Sequence, residues 1–168
     1  MTMKLRASKS IAIFLIAVCV CFHWARAQID TSKEPKTACP SAKTIKAAQL
    51  YGIWQVSFSN PPAGLPAKAV MLLEKHQEFS ESLAGIVSRD SVSASGHEAK
   101  AALAGDVEDG FVILDESSNN ISISGTWNGQ LVEASCGREV KGMWKDTSAS
   151  APPDASDVPF TMVKRPGW

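Results

Sequence analysis

The chain has 168 residues, with 17 basic and 17 acidic side chains, a formal net charge of zero and 45% hydrophobic residues. The two signs are interspersed, so no basic stripe is available to neutralise a run of phosphates, which argues against nucleic acid as a partner. No apolar run reaches the roughly 20 residues of a membrane-spanning helix.

Taken in chain order, MTMKLRASKS carries Lys4, Arg6 and Lys9 without an acid, and a twelve-residue apolar run, Ile11 to Phe22, follows. Ala25 and Ala27 then bracket Arg26 in the A-x-A pattern that a signal peptidase accepts. Residues 1–27 are therefore expected to be a cleavable signal peptide, with the working chain starting at Gln28, secreted or periplasmic and holding no stable membrane anchor after cleavage. Four bases and no acids leave with it, so 13 basic and 17 acidic side chains remain and the net charge becomes −4. Cys19 and Cys21 leave too. Cys39 and Cys136, alone in an oxidising compartment, are expected to pair as a disulfide. Residues 28–40 are expected to be a polar, flexible arm, and 41–168 one domain, with a short helix over 41–49 capped by Ser41.

From Leu50 onward, short alternating segments separated by turn residues predict an all-β antiparallel meander of eight or nine strands. The segments are 50–59, 67–76, 82–90, 98–108, 110–116, 120–128, 130–136, 138–146 and 158–165. Asp109-Gly110 and Asn128-Gly129 are two-residue hairpin signals, because a type I′ turn needs positive φ at both positions. A pattern aliphatic-x-Gly-x-Trp/Val recurs five times, as LYGIW (50–54), LAGIV (83–87), LAGDV (103–107), ISGTW (123–127) and VKGMW (140–144). Period-2 geometry puts the aliphatic, glycine and Trp or Val positions on one face, leaving Asp106, Lys141 and Lys145 on a wetted one. Glycines that bend strands and admit neighbouring aromatics predict a sheet closed into a small barrel. Charges on the outer face exclude a lipid-facing barrel.

The Gly-x-Trp at the start of the first strand, after a short helix, resembles the lipocalin and avidin-like barrels grouped as calycins, and GTWNGQL at 125–131 looks like an avidin strand opening. The resemblance implies eight antiparallel strands around a cup for one small, partly apolar ligand.

Following nine strands alternately up and down places Trp54, Trp127 and Trp144 at the floor, either as core or as a surface for ligand stacking. The same count brings Arg89 and Arg138 to the mouth, beside loops 60–66 and 91–97. There they would either clamp a ligand carboxylate or stay solvated beside Asp90 or Glu139. The ligand-binding candidates are thus Arg89, Arg138, Trp54, Trp127 and Trp144. His76 and His97 lack metal-ligand spacing, no nucleophile elbow occurs, and Asp115 and Glu116 point to opposite faces of a strand, so no metal, cofactor or catalytic set is expected. The expected function is binding of a small molecule at the mouth. The alternative is a protein partner, as in a periplasmic proteinase inhibitor acting through the arm.

Overall fold

The computed structural model describes residues 39–90 and 100–167; the expected signal peptide, the expected arm as far as residue 38, residues 91–99 and Trp168 lie outside the described residues. Eight strands follow in chain order: β1 (Gly52–Phe58), β2 (Lys68–Lys75), β3 (Leu83–Arg89), β4 (Lys100–Glu108), β5 (Phe111–Ser117), β6 (Gly125–Leu131), β7 (Glu139–Asp146) and β8 (Val158–Lys164). Each pairs antiparallel with the next, and β8 pairs back onto β1, closing the barrel.

The expected sixth and seventh segments are one strand. Asn128-Gly129 is not a turn but the middle of β6, where Asn128 pairs with Ile113 and Met143, and Gly129 pairs with Val112 and Gly142. The glycine serves packing there: a Cβ on Gly129 would run into the Val140 side chain and come within 3.1 Å of the Phe160 ring. Asp109-Gly110 does make the tight β4–β5 turn, with φ of 49° and 85°. Removing one strand reverses the direction of everything after β6 and sets Trp127 near the start of its strand rather than at its end, with consequences for the placement of the site residues.

Alternation holds inside the barrel. Trp54, Met71, Leu73, Leu83, Val87, Leu114, Trp127, Val140 and Trp144 are all buried, and the outward positions between them are more exposed. Gly125 leaves room for the Trp144 indole, whose Nε1 would lie 2.7 Å from a Cβ at that position. Ile123 departs from the five-fold pattern: it precedes β6 and is 49% exposed.

One end of the barrel is closed by the chain itself. The expected nine-residue helix is split into a 3-10 turn (Ala42–Thr44) and a single helical turn α1 (Ala47–Leu50), because Ile45 between them is extended. Ile45, Ala47 and Leu50 are buried, and Trp54 donates from Nε1 to the Leu50 carbonyl at 2.8 Å. Ser41 does not cap the turn. Its hydroxyl and the Ala42 N–H donate instead to the two oxygens of Glu133, at 3.4 and 3.3 Å. Cys39 is bonded to Cys136 in the β6–β7 connection, across 97 residues of chain, and this fixes the start of the domain to the closed end. A disulfide of this kind accords with an oxidising compartment.

Closing so long a loop restricts the unfolded chain strongly. Replacing both cysteines by serine is expected to lower the unfolding free energy by about 4 kcal/mol. Urea denaturation of the oxidised chain against the double variant measures it, and an unchanged midpoint would show that the loop contributes nothing.

Candidate functional site

At the other end, the inward positions carry a buried charge. β3 ends in Arg89, which points inward because it is in phase with Leu83 and Val87, and Glu116 on β5 points inward because it is in phase with Val112 and Leu114. They meet as a bidentate pair: Nη1 and Nη2 of Arg89 each donate to one Glu116 oxygen at 2.7 Å. Their side chains are 2% and 5% exposed. Glu116 Oε2 also accepts from Nε1 of Trp127 at 3.0 Å and from Nε1 of Trp144 at 3.2 Å. The Arg89 guanidinium carbon lies 5.8 Å and 5.5 Å from the centroids of those two indoles. The carboxylate therefore collects four donors from three strands, and the cation sits against two aromatic rings. Arg89 Nε, also buried, has no hydrogen-bond partner among the described residues.

Phe58 and Phe160 complete the shell. Phe58 stacks obliquely on Trp127 at 5.5 Å and meets Trp144 edge-on at 6.0 Å, while Phe160 meets Trp127 edge-on at 5.1 Å. This end of the interior is thus filled by side chains rather than left as a deep cup.

Two placements from the strand count are corrected. Trp127 and Trp144 are at the open end, not the floor, because β6 enters from the open end and β7 finishes there; of the three tryptophans only Trp54 is at the closed end. Arg138 is at the closed end, not the mouth. It immediately precedes β7, and its carbonyl accepts from the Lys164 N–H at 2.9 Å. Its charge adds to partial burial in lowering the Lys164 pKa, while Lys164 Nζ donates to the Gln49 carbonyl at 2.7 Å. Arg89 does clamp a carboxylate, as its planar fork suits, but the carboxylate is the chain's own Glu116. The two arginines are not brought together.

Glu116 is the residue that sequence reasoning missed. Its alternation from Asp115 was recognised, yet its being in phase with Val112 and Leu114 marked it as a charge inside the barrel, in need of a partner.

Above this cluster lies a cleft of about 550 Å³ between the β1–β2 and β7–β8 connections. Trp144, Pro62, Ala63, Pro152, Asn60 and Asp157 are among its lining residues. Asp146 Oδ1 accepts from the Ser148 N–H at 2.9 Å, and Lys145 reaches Asp157 at 4.0 Å, so the β7–β8 connection is tied at both ends. The part of the expected mouth contributed by residues 91–97 lies outside the described residues.

No protein-family model and no curated protein sequence matches the chain. Among solved structures, a redesigned beta barrel is similar with a TM-score of 0.43 and 12% identity, over 71% of this chain and 95% of that one.

Cutting Glu116 back to alanine would strand a guanidinium in the barrel. The Glu116→Ala variant is expected to lose about 3 to 5 kcal/mol of stability. Arg89→Met combined with Glu116→Leu should lose clearly less, since neither charge is left unpaired. A double-mutant cycle in urea reads the difference, and equal losses would show that the pair does not act as a unit.

Proposed function

We propose that the chain is an exported, calycin-like barrel that binds a small, partly apolar molecule at its open end. The observation that carries this reading is the cleft lined in part by Trp144, whose volume falls within the range usual for small-molecule sites and whose lining sets proline, alanine, valine and tryptophan beside Asn60, two serines and two aspartates. The ligand sits between the two connections rather than inside the barrel, because the ion pair and its aromatic shell occupy the interior beneath. Trp144 is the contact residue. Arg89 acts through it, by holding the carboxylate on which its indole is hung. Trp54 and Arg138 belong to the closed end and take no part.

The second reading, a protein-binding module such as a proteinase inhibitor that uses residues 28–38, draws on the disulfide. Cys39 anchors the root of that segment to a rigid barrel, as an inserting arm requires. Deletion of 28–38 separates the two readings, since it removes inhibition and leaves the cleft untouched.

Anilinonaphthalene sulfonate is a suitable probe for the cleft, being small, largely apolar and fluorescent on burial. Saturable binding is expected, and Ala155→Trp, which fills the cleft from the β7–β8 connection, should weaken it at least tenfold, or about 1.4 kcal/mol. Binding that never saturates, or that ignores Ala155→Trp, removes the cleft as the site.

A further inference from the structure

The cleft between the β1–β2 and β7–β8 connections is uneven in charge. Among the described residues, its ionisable lining consists of two acids, Asp146 and Asp157, with no lysine, arginine or histidine. The connections themselves continue the bias: residues 59–67 carry no charged side chain, and residues 147–157 carry Asp154 and Asp157 without a base. The cations of the open end are committed or turned away. Arg89, beneath the cleft, is neutralised by Glu116 through two bonds of 2.7 Å. Lys68 lines a separate groove on the outer face together with Asp90, and Lys100 begins β4, on the opposite side of the barrel from β8. Lys145 does approach a lining acid, but its Nζ stands 4.0 Å from Asp157 Oδ1 and both side chains are about half exposed. A pair so long and so open to water contributes little and is easily exchanged. Asp146 is already engaged by the Ser148 N–H, so Asp157 is the acid held more loosely.

We propose that the ligand of this cleft is a cation: a primary amine on an apolar body, its ammonium beside Asp157 and its body against Pro62 and Pro152. The assignment rests on the cleft being the binding site and adds to it the charge of the ligand. It reverses the expectation of a ligand carboxylate, which required Arg89 and Arg138 at the mouth. The first of these is spent on Glu116, and the second lies at the closed end. A carboxylate or sulfonate entering the cleft gives up hydration beside like charges. An ammonium instead takes the place of Lys145 on Asp157, and Ser150 and Ser156 add neutral acceptors to the lining for its remaining N–H groups. An anion such as anilinonaphthalene sulfonate enters by its rings alone, against this charge.

Dansyl probes that share a five-carbon tail and differ only in its end group test the proposal. Dansylcadaverine ends in an ammonium, N-pentyl dansylamide in a methyl, and 6-(dansylamino)hexanoate in a carboxylate. Fluorescence titration of the full chain, as its host processes it, should give dansylcadaverine an affinity about tenfold above that of the hexanoate at low salt, the gap closing as salt is raised. Asp157→Asn should weaken the amine about threefold and leave the methyl-ended probe unchanged. Lys145→Gln should tighten the amine by a similar factor, because it removes the competitor for Asp157, a gain that structural damage would not produce. Ala155→Trp should weaken all the probes. Equal affinities, or an order favouring the carboxylate, overturn the cationic ligand and leave the cleft as the site where Ala155→Trp still weakens binding. So does a preference for the amine that ignores Asp157→Asn. If no probe saturates, or Ala155→Trp changes nothing, the cleft itself fails, and the charge of its ligand with it.

Discussion

The carboxylate of Glu116 is the point on which the open half of the barrel depends. It draws together Arg89 from β3, Trp127 from β6 and Trp144 from β7, so four of the eight strands converge on one pair of oxygens. Its role is first of all one of register. Side chains alternate strictly across a strand, and a slip of β5 by one residue would send Glu116 to solvent and turn Asp115 inward. Arg89 would then be left in the interior with nothing to neutralise it, at a cost of several kcal/mol. Apolar alternation alone would be less exacting, because Val112 and Leu114 have outward apolar neighbours, Phe111 and Ile113, that are able to take their place.

The glycines and tryptophans make this arrangement possible. Gly125 provides the space into which the Trp144 indole swings, and that swing brings Nε1 to Glu116. Gly129 and Gly142 sit opposite each other on β6 and β7, where a Cβ on Gly142 would strike the Asn128 carbonyl and the Gly129 Cα. These two strands therefore pack tightly around one side of the aromatic cluster. The closed end is built on another principle. There a short stretch of chain, a buried isoleucine, the Trp54 hydrogen bond to Leu50 and the Cys39–Cys136 bond do the sealing, with no buried ion pair.

Much of this was legible from residue pattern. The closed antiparallel barrel follows from alternation and from the repeated Gly-x-Trp/Val, and the pairing of Cys39 with Cys136 from the oxidising compartment that the expected signal peptide implies. The bounds of β6 were not, because Asn128-Gly129 carries the local signature of a turn while its backbone is claimed by two ladders at once. Pairing of β6 with β5 and β7 overrides the local preference, and Gly129 is there for closeness to Val140 and Phe160, not for positive φ. That single miscount moved Trp127, Trp144 and Arg138 to the wrong ends. Nor is the outer face wetted throughout, since the intervening residues of the repeat include Ile53, Ala84 and Ile86 beside Asp106 and Lys141. The apolar outward residues Val70 and Leu72 lie on β2, the strand between two motifs.

The buried pair also limits what the open end can accommodate. In the proposed binding mode a ligand would lie over the buried Trp144 indole, and any deeper position would require Phe58, Trp127 or the guanidinium itself to give way. Displacing Glu116 from Arg89 would sacrifice two short charge-assisted bonds and two indole donors, more than a small apolar molecule recovers by burying a few additional methylene groups. Depth would thus be fixed by the ion pair, and under that proposal differences in affinity among ligands would arise in the two connections above it. Those connections hang on a scaffold whose register the same ion pair sets, so variation in residues 60–66 and 147–157 can change the cleft without disturbing the barrel beneath.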